Sequence, residues 1–87
     1  METTIRGEAL DPPVIAAGVP IRLSAAAPSL WRVIDATGRV IGHLQALSFG
    51  DGIRYRARRF QSATRAFLDL GDFWNADDAI ECLRFVR

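Results

Sequence analysis

The chain has 87 residues, of which 49% are hydrophobic and 24% charged, and its formal net charge is +1. A chain of this length holds one domain around one small core and buries only roughly 60–65% of its unfolded surface, while its composition excludes wholesale disorder. No apolar run approaches the ~20 residues of a membrane span, and so small a net charge does not by itself point to a nucleic-acid partner.

The first residues, from Met1 to Arg6, lack the basic start and long apolar stretch of a secretion signal. The single cysteine, Cys82, leaves no internal disulfide and fits a reducing compartment. The expected location is therefore the cytoplasm. Residues 1–29 differ from the rest: Pro12, Pro13, Pro20 and Pro28 all fall there, with many alanines and no aromatic residue. Proline spacing excludes a continuous helix, because each ring removes a donor and clashes one turn back. This segment reads as an extended, Pro-rich arm, with room for one edge strand over Val19 to Leu23.

Leu30 to Asp35 begins the compact domain, residues 30–87, with Trp31, Val33 and Ile34 as its apolar content. Asp35-Ala36-Thr37-Gly38 resembles a type I turn followed by a left-handed glycine. Val40 to Leu47 answers as a second strand, in which Gly42 marks a bulge or a bulky neighbour. Phe49-Gly50-Asp51-Gly52 forms the next turn, Ile53 to Phe60 a third strand, Gln61 to Thr64 a loop, and Arg65 to Leu70 a fourth strand. Gly71 supplies freedom for the turn that follows, and Phe73 plugs the corner between sheet and helix. Asn75 caps a helix from Ala76 to about Phe85, whose apolar residues at 76, 79, 80 and 83 share one face. The expected fold is α+β: a small antiparallel meander of three to four strands packed against one C-terminal helix.

Charge is segregated along the chain. Arg54, Arg56, Arg58, Arg59 and Arg65 lie between Ile53 and Arg65 with no acid among them. Asp69, Asp72, Asp77, Asp78 and Glu81 follow between Leu68 and Leu83 with no base. All basic residues are arginine, which a GC-rich coding bias explains as readily as any selection for guanidinium chemistry. In a strand, Arg54, Arg56 and Arg58 project to one face while Ile53, Tyr55 and Ala57 point to the other. With the helix on the Tyr55 side, the opposite face carries an arginine ladder. Such a ladder can hold phosphates and read guanine edges, it can pair with Asp69 and Asp72 nearby, or it can meet an acidic protein.

Catalytic constellations are missing. His43 and Cys82 are single occurrences, too few for a zinc site within one chain, and they form a nucleophilic pair only if sheet and helix bring them together. The serines sit in no nucleophile-elbow context, and Gly50-Asp51-Gly52 has no following helix to make a phosphate loop. The acids around the helix start match the helix dipole, with Asp78 three residues after Asn75 as in a capping box. No cofactor, metal or small-molecule substrate is expected. Exposed aromatics among the arginines would serve as stacking platforms or interface anchors.

The segment Leu70-Gly71-Asp72-Phe73-Trp74-Asn75-Ala76-Asp77-Asp78-Ala79 resembles the Leu-Gly-x-Phe-x-x-x-(Asp/Glu)-(Asp/Glu)-Ala pattern of AP2-type DNA-binding domains, and is similar to the arm-binding domains of tyrosine integrases. The match covers about a third of the chain. That resemblance implies a three-stranded sheet on a helix, with arginine and tryptophan on the exposed sheet face entering the major groove; Arg54, Arg56 and Arg58 would then face DNA. The early basic strand of those families has no counterpart here. The chain also resembles small bacterial proteins built around a Trp-Arg-Val strand and a final Leu-Gly-x-Phe-Trp helix, which implies no function. The expectation is a non-enzymatic binding module with nucleic acid as its leading ligand. The alternative is a protein-interaction or self-associating domain, in which a homo-oligomer or an acidic protein partner takes up the arginine face.

Overall fold

A computed structural model describes residues 10–85. Within them lie five strands and one helix: β1 (Arg22–Ala27), β2 (Leu30–Ile34), β3 (Val40–Phe49), β4 (Gly52–Gln61), β5 (Ala66–Phe73) and α1 (Ala76–Phe85). The strands form a single antiparallel sheet in chain order, with each strand beside its sequence neighbour. The α+β class and the meander match expectation. The strand count does not: there are five strands rather than three to four.

The added strand is β1, which begins at Arg22 and runs on through three alanines. It lies later than the Val19 to Leu23 stretch suggested by sequence, and its pairing starts with Arg22 opposite Ile34. A run of alanines has neither alternation nor β-branching to announce a strand. Tertiary pairing with β2 holds it. The two strands meet through Pro28 and Ser29, where Ser29 takes a left-handed φ of 59°.

The Asp35 turn forms as the sequence implies. Gly38 is left-handed at φ 89°, and its N–H donates to the Asp35 carbonyl at 3.0 Å. The Asp35 carboxylate closes the turn by accepting from Thr37 N, Thr37 Oγ1 and Arg39 N at 2.7–3.0 Å. These bonds hold its carboxyl below the ordinary value, the Thr37 side chain contributing most and the charge of Arg39 least.

One face of the sheet carries the core: Trp31, Val33, Leu44, Ala46 and Ala57 pack against Ala76, Ala79, Ile80 and Leu83 of α1. Gly42 serves both purposes read from sequence. It adjoins the bulge that shifts β3 against β2, and a Cβ built there would fall on Leu83 Cδ2 and lie 2.9 Å from the Arg58 carbonyl oxygen. Gly71 differs from expectation, since β5 continues through it to Phe73 and the turn comes later. It pairs with Ala57, and the Phe73 ring lies 3.2 Å from where its Cβ would stand. The glycine therefore makes room for Phe73 to fold onto the core.

The helix begins where sequence places it. Asn75 Oδ1 accepts from Asp78 N at 2.9 Å, and Asn75 Nδ2 donates back to Asp78 Oδ2 at 3.1 Å. Residues 10–21 run beside the helix as part of the fold: Leu10, Ile15 and Ile21 pack against the core, and Ala16 N donates to Asp77 Oδ1 at 3.0 Å. Leu10 N donates to Ser29 Oγ at 2.8 Å. One sheet face is thus covered by α1 and this segment, and the other stays open.

Candidate binding surface on the open sheet face

Alternation along each strand decides what the open face displays. One row crosses all five strands: Ser24, Arg32, His43, Arg58 and Asp69 stand opposite one another in turn. A parallel row holds Leu30, Gln45, Arg56 and Asp72, and beyond it Leu47 faces Arg54. Arg54, Arg56 and Arg58 therefore form the ladder read from sequence, on the face away from the helix.

None of the three points into solvent alone. Arg54 makes a two-pronged pair with Asp51, at 3.1 Å to Oδ1 and 3.0 Å to Oδ2. Arg56 does the same with Asp72, Nε to Oδ1 at 2.7 Å and Nη2 to Oδ2 at 3.0 Å, with Asp69 a further 3.7 Å contact. Arg58 Nε donates to Asp69 Oδ1 at 2.8 Å and its Nη1 to Gln45 Oε1 at 3.0 Å. The hydrogen bonds that Arg56 donates hold the Asp72 carboxyl below its ordinary value, and the same bonds raise the Arg56 guanidinium. Asp51 is likewise lowered, chiefly by its bond from Arg54. Isolated surface pairs of this kind contribute about 0–1 kcal/mol each. Their larger consequence is geometric, since forked pairing fixes each guanidinium plane.

Aromatic rings flank the ladder. The Arg54 guanidinium lies 3.5 Å from the centroid of the Trp74 ring and 5.6 Å from that of Phe49. At the other end, Arg58 sits 4.6 Å over Phe67, which meets both Phe60 and His43 edge-on. Trp74 is 64% exposed, and Phe49 and Phe60 are each 47% exposed. Trp74 follows Phe73, so the step of one residue that sends Phe73 to the core sends Trp74 to the ladder side. Sequence, which ends the strand at Leu70, did not assign Trp74 to this face, and the Asp51 pairing depends on turn geometry that it did not show either.

His43 stands between Arg32 and Arg58. Burial first, and then those two charges, hold its imidazole below the ordinary value, and its Nδ1 is buried without a partner among the described residues. Cys82 packs on the helix side against the core. The sheet separates the two, so they make no nucleophilic pair. Among the described residues no group of three or more His, Cys, Asp or Glu is placed to hold a metal ion, and no helix is long and apolar enough to cross a membrane. Compared with known proteins, the chain finds no match among family models, curated proteins or solved structures.

Proposed function

We propose that the chain is a small non-enzymatic binding module of the cytoplasm that docks through the open sheet face, and that its partner is a second copy of itself. The observation that carries this reading is the pairing of every ladder arginine with a carboxylate. A phosphate backbone would have to compete with Asp51, Asp69 and Asp72 for the same guanidinium groups. A protein surface of mixed charge would not.

Three further features favour a second copy. The five strands, 5 to 10 residues long at ~3.3 Å per residue and spaced ~4.8 Å apart, present a face of roughly 600 Å², approaching the ~800 Å² that each partner contributes to a standard interface. The acids lie on edge strand β5, whereas Arg32 on β2 has a backbone partner, the Ala25 carbonyl at 2.8 Å. A twofold axis along the strands between β3 and β4 sets β5 of one copy over β2 of the other, bringing Asp69 and Asp72 toward Arg32. Exposed Trp74, Phe49 and Phe60 supply apolar anchors around the charged centre.

One observation favours nucleic acid as a second reading. Arg54 stacked on exposed Trp74, with Phe49 beside it, makes a platform on which a base can lie, and the resemblance to AP2-type domains points the same way. The two readings part in one experiment. A fluorescent random-sequence duplex is titrated at two salt concentrations with the wild type and the Arg54/Arg56/Arg58→Ala variant, and solution mass is recorded alongside. Self-association predicts a mass of two chains and no salt-sensitive duplex binding. Three phosphate contacts would instead give a log–log salt slope of about −2.7 that the variant loses, which would replace the first reading by the second.

A further inference from the structure

His43 stands on the central strand of the open face. In the row that crosses the sheet it lies between Arg32 on β2 and Arg58 on β4, with Asp69 of β5 beyond Arg58. The Asp69 carboxylate is committed to two arginines: Oδ1 accepts from Arg58 Nε at 2.8 Å, and Oδ2 lies 3.7 Å from Arg56 Nη1. The Phe67 ring meets the imidazole edge-on at 5.0 Å. The hollow beside His43 is walled by Val40, Ile41, Phe60, Phe67 and Arg59, without a carboxylate in its lining, and Arg59 Nη2 donates to the Leu83 carbonyl on the helix side.

Such surroundings suit a neutral imidazole. Protonation makes both ring nitrogens donors, and Nδ1 is buried with no acceptor among the described residues. It also sets a third cation in a row that holds one carboxylate, already paired. Burial, then Arg32, then Arg58 accordingly hold the imidazole below its ordinary value. The twofold axis of the proposed pair runs along the strands between β3 and β4, so it lays β4 of a second copy over β3 and keeps each row above itself. Arg58 of the second copy then comes over His43, while Asp69 of the second copy goes to Arg32. Pairing thus removes water from the ring and adds a guanidinium to it, once in each copy.

We propose that His43 is the proton switch of self-association: the two copies hold together near neutral pH, and proton uptake by this imidazole parts them in mild acid. The inference rests on the self-association reading and names how that same face is regulated. Its sign follows from linkage. A group that binds its proton less readily in the pair than in the single chain drives the pair apart as pH falls.

The test is sedimentation equilibrium of the full chain at pH ~7.5 and ~5.5 and one ionic strength, for wild type and His43→Gln, with circular dichroism at each pH. Across this window imidazole is the side chain that titrates, carboxylates doing so near pH ~4, and His43→Gln controls for every other group. Wild-type association weakens at least about fivefold at the lower pH, since two imidazoles titrate per pair, while His43→Gln associates equally at both. The chain has a single histidine, so its one imidazole resonance, followed by NMR against pH, gives a second readout: it titrates at lower pH in concentrated than in dilute protein. Equal association of the wild type at both pH values, the same acid weakening in His43→Gln, or an imidazole titration indifferent to protein concentration would overturn the switch and leave the pair standing. So would loss of the folded spectrum at the lower pH, which would make unfolding the cause. A wild type of one chain at both pH values removes the self-association reading and the switch with it.

Discussion

Replacing Gly42 by alanine places a methyl group where Leu83 Cδ2 already stands and 2.9 Å from the Arg58 carbonyl oxygen. Leu83 is 2% exposed in the centre of the helix–sheet core, so its side chain has little room to yield, and the Arg58 carbonyl belongs to the neighbouring strand. Overpacking of this kind costs typically 1–3 kcal/mol. Gly42 is not left-handed, so alanine also stiffens the unfolded chain and returns about 0.4–1 kcal/mol. The net expectation is a loss of roughly 1–2 kcal/mol, a fall of about 5–15 °C in melting temperature for a domain of this size. Urea denaturation gives the free energy directly. Leu83→Ala alone should cost about 2–5 kcal/mol. The double variant Gly42→Ala/Leu83→Ala should cost less than the sum by roughly 0.5–2 kcal/mol, because the new methyl occupies space the leucine has vacated. Unchanged stability for Gly42→Ala, together with strict additivity in the double variant, would refute the claim that the glycine exists to admit the helix.

Asn75→Ala removes the helix cap and should lower stability by about 1 kcal/mol, seen as a reduced urea midpoint with an unchanged slope. His43 has a lowered folded pKa, so the unfolded chain takes up a proton below about pH 6.5 that the folded chain resists. Stability should therefore fall as pH drops below about 6.5 and level off below the folded pKa, and His43→Gln should flatten that step. Asp35, Asp51 and Asp72 have lowered pKa values. The stability they contribute is present above about pH 4 and is lost as pH falls through their folded values, a loss that persists in His43→Gln.

The helix and the ladder were legible because both follow from local rules. Asn75 with Asp78 fixes the start of α1, and apolar residues at 76, 79, 80 and 83 fix its buried face. Arg54, Arg56 and Arg58 share a face because strands alternate. Pairing with Asp69 and Asp72 was one of the readings open in the sequence, and choosing it required register: the two acids flank the bulge at Leu70, and only that extra residue puts both on the ladder side. β1 was only partly legible: the edge strand expected over Val19 to Leu23 overlaps its start at Arg22 and Leu23, but Ala25, Ala26 and Ala27 lack any β-forming signal of their own. Gly71 read as a turn because sequence shows that a side chain is missing without showing what fills the space, and here the Phe73 ring fills it. Composition gave the arm only as extended and Pro-rich; what it packs on was not legible, and Asp77, read as a partner of the helix dipole, also accepts from Ala16 N and ties that part down.

The central claim is that the open face closes on a second copy of the chain. The most direct measurement is sedimentation equilibrium over a wide range of protein concentration, comparing wild type with Arg32→Glu and Trp74→Ala. The account predicts a wild-type mass approaching two chains as concentration rises. Trp74→Ala should weaken association by at least about tenfold, as loss of a buried aromatic anchor does. Arg32→Glu, which sets like charges opposite Asp69 and Asp72 of the other copy, should hold the mass near one chain. A wild type that stays at one chain throughout, or a dimer indifferent to both substitutions, would contradict it.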